Sequence, residues 1–297
     1  MSSKYSIKDL ERLTGIKAHT LRIWEQRYEI LRPERTDTNI RFYNNDDLRR
    51  ILNISLLNNN GYKISAIAKL NEAAVFQEAE KFLNNYTKES DQIENLMLCL
   101  MDLNEERFEK VISNSAHKFG FENAIEKIVF PFVKHLGNMW QAGMISPAQE
   151  HYISNLIRQK LIVGIDSIKT SPSINKKTFV FFLPSHELHE MGLLYLYYLT
   201  KARGHHCLYL GQSVPFEDLL SISKQVKPDY LVTILTAPFP EGEMTTFLNN
   251  CGEKIGETKF LASGRIFFNS PEQIEVPKNF KVFKEFQDYK TITSQFV

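Results

Sequence analysis

Residues 177–184, KTFVFFLP, constrain the fold of this 297-residue chain more than any other stretch. An unbroken apolar run of that length suits a strand buried on both faces, the condition found inside a parallel sheet with helices on either side. The chain beyond this run alternates helix and strand. A helical pattern (MGLLYLYYLTKARGH) leads to a strand (HCLYLG), a helix (PFEDLLSISKQVK) and another strand (PDYLVTILTA). A further helix, TKFLASG and, late in the chain, FKVFKEF complete the series. The pattern predicts a doubly wound parallel, Rossmann-like sheet over residues 173–297, with ligands received at the carboxyl ends of its strands.

SHELHEMG stands at the first such end. It is not the zinc-helix pattern, because His186 and His189 are three apart rather than four. Glu187 and His189 are two apart and share no helix face, so they cooperate only if the stretch is loop. Pro184 favours that, with a helix expected from about Glu190. There the Glu187 carboxylate can hold one ring nitrogen of His189 while the other serves a metal. A plain loop histidine is the alternative reading. Gly192 is expected to let something come close to the helix's first turn. Thr233-Ile-Leu235 ends the third strand, and Ser263-Gly264 ends the fourth.

The first 75 residues have a different character. Residues 1–70 hold 13 Lys and Arg against 8 Asp and Glu, although the whole chain carries only +1. A basic head on an acidic body points to a polyanionic partner. YSIKDLERLTGIKAHTLRIWEQRYEIL reads as two short helices around a tight turn, with Ser6 as cap, Gly15 as stop, and Leu10, Leu13, Leu21 and Trp24 inward. RPERTDTNIRFYNNDDLRRI then gives a turn-rich stretch with extended pieces and a helix from near Asp46. Trp24 and Phe42 are expected in the core. Residues 76–172 step their apolar side chains at three and four, which predicts a bundle of four or five helices. Within it Ser146-Pro147-Ala148-Gln149 is a strong helix start. It places Glu150 and His151 in the first turns, with nine residues between Trp140 and Glu150; burial of Trp140 in the core is the plain expectation.

Composition excludes some classes. Cys99, Cys207 and Cys251 show no CxxC spacing, which argues against a disulfide framework or a cysteine zinc site. No uncharged apolar run approaches ~18 residues, so no membrane span is expected. The polar N-terminus predicts no signal peptide, and a cytoplasmic protein is expected.

The two-helix head and its arginine-rich turn region resemble the winged helix-turn-helix of the MerR family. That resemblance implies binding to double-stranded DNA, with His19 and Arg22 in the major groove and Tyr28, Arg35, Arg41 and Tyr43 on the backbone. The long dimerising coiled coil typical of that family has no counterpart after Leu70. The sheet's loops resemble the cobalamin-binding fold, whose Asp-x-His-x-x-Gly, Ser-x-Leu and Gly-Gly motifs match Glu187, His189, Gly192, Thr233, Leu235, Ser263 and Gly264. Glu187, Thr233 and Ser263 depart from the pattern in kind but keep approximate role or size. The resemblance makes His189 the lower ligand of cobalt.

Over nearly the whole chain, head, bundle and sheet together are similar to the CarH/LitR-type photoreceptor repressors. This implies adenosylcobalamin as cofactor, with Trp140, Glu150 and His151 on its upper face. It also implies a homo-oligomer, tetramer or dimer, that releases DNA on illumination and performs no enzymatic reaction. Gln141 stands where the best-known light sensors have a histidine. The alternative is a regulator whose sheet acts without cofactor as a protein-interaction module.

Overall fold

Ser6 and Asp9 exchange hydrogen bonds at the start of α1 (Ile7–Thr14), and Gly15, at φ 72°, closes it in the left-handed region that a side chain resists. The computed structural model describes residues 4–81, 88–169, 176–240, 242–269 and 274–295. The expected domain boundary at 172–173 and the end of the helical stretch FQEAEKFLNNY lie outside these residues. The chain divides into two compact units, Met1–Leu156 and Ile157–Val297.

In the first unit α2 (Ala18–Tyr28) turns Leu21 and Trp24 inward. A two-stranded wing follows, β1 (Glu34–Arg35) antiparallel to β2 (Arg41–Phe42), with Arg35 opposite Arg41. Asn44 and Asp47 cap α3 (Asn45–Asn59), and α4 (Ile64–Ile67) and α5 (Glu72–Lys81) come next. The bundle comprises α6 (Glu89–Asp102), α7 (Glu105–Phe119), α8 (Phe121–Ala124), α9 (Phe130–Gln141) and the start of α10 (Pro147–Asp166). Between α8 and α9, Ile125–Val129 forms a π-helical turn in which the Phe130 N–H donates to the Ile125 carbonyl, five residues back. Ser146 and Gln149 start α10 as the sequence predicts.

Helix α3 packs on α6 through polar contacts as well as apolar ones. Arg49 Nε donates to Asp102 at 2.6 Å, and Ser55 Oγ donates to Glu94 Oε1 at 2.8 Å. Glu94 is 6% exposed, and its Oε2 has no partner among the described residues. Asp91, one turn earlier, is fully buried beside Asn60.

The second unit is a five-stranded parallel sheet in the order β4-β3-β5-β6-β7, the strands being β3 (Thr178–Pro184), β4 (His206–Val214), β5 (Tyr230–Ile234), β6 (Lys259–Ser263) and β7 (Phe280–Val282). The helices are α11 (Met191–Ala202), α12 (Phe216–Val226), α13 (Glu243–Lys254), α14 (Arg265–Asn269) and α15 (Phe286–Ser294). Strand alternation sorts the core. Val180 and Phe182 join Leu219 and Leu248 of α12 and α13, whereas Phe181 meets Tyr197 of α11. The first strand lies between the second and the third, so the topological switch point falls between β3 and β5, where such sheets receive ligands.

Candidate cofactor site and nucleic-acid interface

The loop after β3 is built around one carboxylate at that switch point. Glu187 is 2% exposed. Its Oε1 accepts from His189 Nδ1 at 2.7 Å and from the His189 backbone N–H at 3.0 Å. Its Oε2 accepts from the backbone N–H groups of Thr236 and Ala237, just past β5, at 2.6 and 2.7 Å. Burial alone would raise the carboxyl's pKa, but the bonds from His189, Ala237 and Thr236 outweigh it and hold it at about 2. A charged acceptor keeps the proton on Nδ1, which makes Nε2 the ring atom suited to a metal. His186 adopts φ 71° and Ser213 φ 53°, and their contact braces the loop against the end of β4.

Glu190 stands at the N-cap position of α11 without a side-chain capping bond, and no sequence pattern singled it out. Its carboxylate accepts from Arg158 of α10 at 2.5 Å and from Tyr209 of β4 at 2.9 Å, tying His189's neighbour to two further elements. Gly192 is the site of a close approach, as its sequence position suggests. A Cβ there would lie 2.7 Å from Ile234 Cδ1, so the glycine admits the sheet's own side chain.

Thr233 on β5 is fully buried, with an Oγ1 that has no partner among the described residues. An unpaired buried hydroxyl is costly, which marks this position for a ligand's polar group. Leu235 donates its N–H to the Ser263 carbonyl at 2.8 Å. Gly264, at φ 119°, packs so tightly that a Cβ would fall 2.2 Å from the Leu235 carbonyl oxygen. The residues present therefore fit a cobalamin: a carboxylate-oriented imidazole, an orphaned hydroxyl and a backbone with no room for a side chain.

In the first unit Trp140 is 54% exposed rather than core. Glu150 accepts from Ser154 Oγ at 2.6 Å and pairs with His151 Nδ1 at 2.8 Å.

On the head, His19, Arg22 and Arg35 are exposed, and Tyr28 and Arg41 are half-buried. Tyr43 corrects the expectation of a phosphate contact. It is 1% exposed, bridged by backbone bonds to Tyr5, and its hydroxyl donates to Glu25 at 3.2 Å. Strand alternation then turns Phe42 outward, half-exposed instead of core, with the Lys4 ammonium 4.4 Å from its ring centroid. Arg35 donates to Asn39 at 2.7 Å, and Arg41 Nε to Glu25 at 3.0 Å. No signal in the sequence points to Glu25. No helix among the described residues is long and apolar enough to cross a membrane.

Comparison with known proteins gives matches to the head and to the helical bundle. Residues 5–74 match the MerR HTH family regulatory protein, and residues 92–163 match a B12 binding domain. The chain thus carries a MerR-type helix-turn-helix domain and a B12-binding domain. It is 26% identical over 233 residues to the HTH-type transcriptional repressor CarH of Myxococcus xanthus, covering 76% of this chain and 77% of the relative. It is 27% identical over 241 residues to the repressor CarA of the same organism, covering 79% and 78%. In fold it is similar to the monomethylamine corrinoid protein of Methanosarcina barkeri, with a TM-score of 0.53 and 13% identity, over 71% of this chain and 100% of that one.

Proposed function

We propose that this chain is a cytoplasmic repressor that binds adenosylcobalamin, assembles into an oligomer in the dark and releases double-stranded DNA on illumination. The observation that carries the reading is the Glu187–His189 pair at the switch point, held by the backbone of the next loop. When bound, adenosylcobalamin supplies a cobalt–carbon bond that light breaks.

The chain's own residues then have distinct tasks. Glu187 fixes the ring and tautomer of His189, so that Nε2 is offered as the lower ligand. Thr233 offers its unpaired hydroxyl to the nucleotide tail, near Leu235, Ser263 and Gly264. The exposed indole of Trp140 suits stacking on the adenosyl group, with Glu150 and His151 at its polar edge. His19, Arg22, Tyr28, Arg35 and Arg41 form the DNA-binding set, without Tyr43. An assembly that presents several heads raises their effective concentration on DNA, so its loss releases the operator without altering any base contact.

The test is an absorption spectrum of the full chain with adenosylcobalamin, dark and illuminated, alongside size-exclusion chromatography and DNA retention. Cofactor binding, a light-dependent change in size and loss of DNA are expected, and His189→Ala should shift the spectrum and weaken retention. A wild-type chain that ignores cobalamin would overturn the reading in favour of a protein-interaction role for the sheet.

A further inference from the structure

We infer that Glu25 is a positioning residue for DNA binding, the anion that locks the wing to the recognition helix and aims Arg41. The inference rests on the head's DNA-binding role. The wing strands are two residues each, too short to hold an orientation by their own ladder. They also set Arg35 directly opposite Arg41, and like charges across a strand pair repel. Something must hold this ribbon against α2.

The Glu25 carboxylate does so with both oxygens. Oε1 accepts from Arg41 Nε at 3.0 Å, and Oε2 accepts from the Tyr43 hydroxyl at 3.2 Å. The Glu25 side chain is 12% exposed and that of Arg41 29%, so the pair is shielded from solvent screening better than a surface bridge. Arg41's two terminal nitrogens have no partner among the described residues, which leaves the fork to grip a phosphate.

Glu25 lies one turn after Arg22 on α2, so one side chain fixes the spacing between the expected groove contact and the backbone contact. Tyr43, buried against Tyr5, anchors the same carboxylate to the core. The wing and the recognition helix therefore meet DNA as one body.

The sign of the effect separates positioning from plain charge. A carboxylate near DNA repels phosphates, so removing one with no positioning role strengthens binding. The experiment uses the full chain and a duplex selected by the wild-type protein from random-sequence DNA, with affinity measured across a salt series. Glu25→Ala should weaken binding roughly tenfold, the scale of one charged hydrogen bond. It should also flatten the salt slope by ~0.9, one phosphate contact.

Arg41→Ala should do the same, and the double variant should be no weaker than Arg41→Ala alone. Melting curves establish that the variants fold. If Glu25→Ala does not, Glu25→Gln, which keeps the shape, should still weaken binding. Equal or tighter binding by the folded charge-removing variant, or additive effects of the two alanines, would overturn the inference. A wild-type chain without salt-dependent DNA binding would instead overturn the underlying DNA-binding role.

Discussion

Replacing Glu94 by Gln should stabilise the first unit at neutral pH and remove a pH dependence from it. Glu94 lies between α3 and α6 with one oxygen on Ser55 and the other unpartnered. Burial pushes its carboxyl from 4.5 up to about 8, with the Asp91 charge adding to the rise and the Ser55 hydroxyl opposing it. A raised acid takes up a proton on folding, so its penalty is absent below pH 4.5, grows through the window and is complete above about pH 8. Each pH unit inside the window costs about 1.4 kcal/mol, so at pH 7 the charge weighs about 3 kcal/mol against folding. Glutamine carries no charge to bury. Its amide NH2 takes the place of the neutral acid's O–H and brings one further donor, a smaller cost than a buried charge. Both tryptophans, Trp24 and Trp140, lie in the first unit. Urea unfolding followed by tryptophan fluorescence therefore reports this unit without the sheet. The wild-type midpoint should fall between pH 5 and pH 8 while that of Glu94→Gln stays nearly level. Equal midpoints for the two proteins at pH 8 would refute the reasoning.

Three further outcomes are expected. Glu187→Gln should cost the second unit about 3 kcal/mol at neutral pH, because an amide N–H would face the backbone donors that the carboxylate accepts. The wild-type contribution is full above pH 4.5 and is lost as pH falls through about 2. A Gln variant with unchanged urea stability would contradict this. Thr233→Val should stabilise the cofactor-free chain by ~1 kcal/mol through loss of an unsatisfied hydroxyl, yet reduce cobalamin retention. Unchanged retention on gel filtration would remove the hydroxyl from the site. Trp140→Ala, at an exposed position, should change stability by no more than ~0.5 kcal/mol. It should nonetheless abolish the cofactor-dependent increase in size, and an intact dark assembly would show that the indole does not contribute.

Local chemistry was largely legible in the sequence. Ser6, Gly15, Ser146 and Pro147 mark helix ends because capping depends on neighbours in the chain. The run after Lys177 marks a strand because burial on both faces leaves no polar alternation. The Glu187–His189 pairing was legible too, since two residues in one loop can be brought together by spacing alone. Pairings between distant residues were not. Nothing near Glu25 announces Arg41, and nothing near Glu190 announces Arg158 and Tyr209. Phe42 and Tyr43 exchanged their expected places because a one-residue shift in strand phase reverses every side chain. That phase is set by the bridge to Tyr5, almost forty residues earlier in the chain. Gly192 does mark a close approach, but the approaching group is Ile234, which only the folded sheet reveals.

The π turn at Ile125–Val129 amounts to one residue more than an α-helix needs. It stands just before Pro131, whose ring and missing N–H an ordinary turn accommodates poorly. The wider turn absorbs that residue locally, so the helix on either side keeps one angular phase. Deleting a single residue here would let the turn tighten into α-helix with α9 still in phase, Met139 buried and Trp140 open to solvent. Aligned relatives that lack this one residue should therefore be read with Trp140's counterpart on the same face, and a one-residue gap in this turn is no sign that the face has moved.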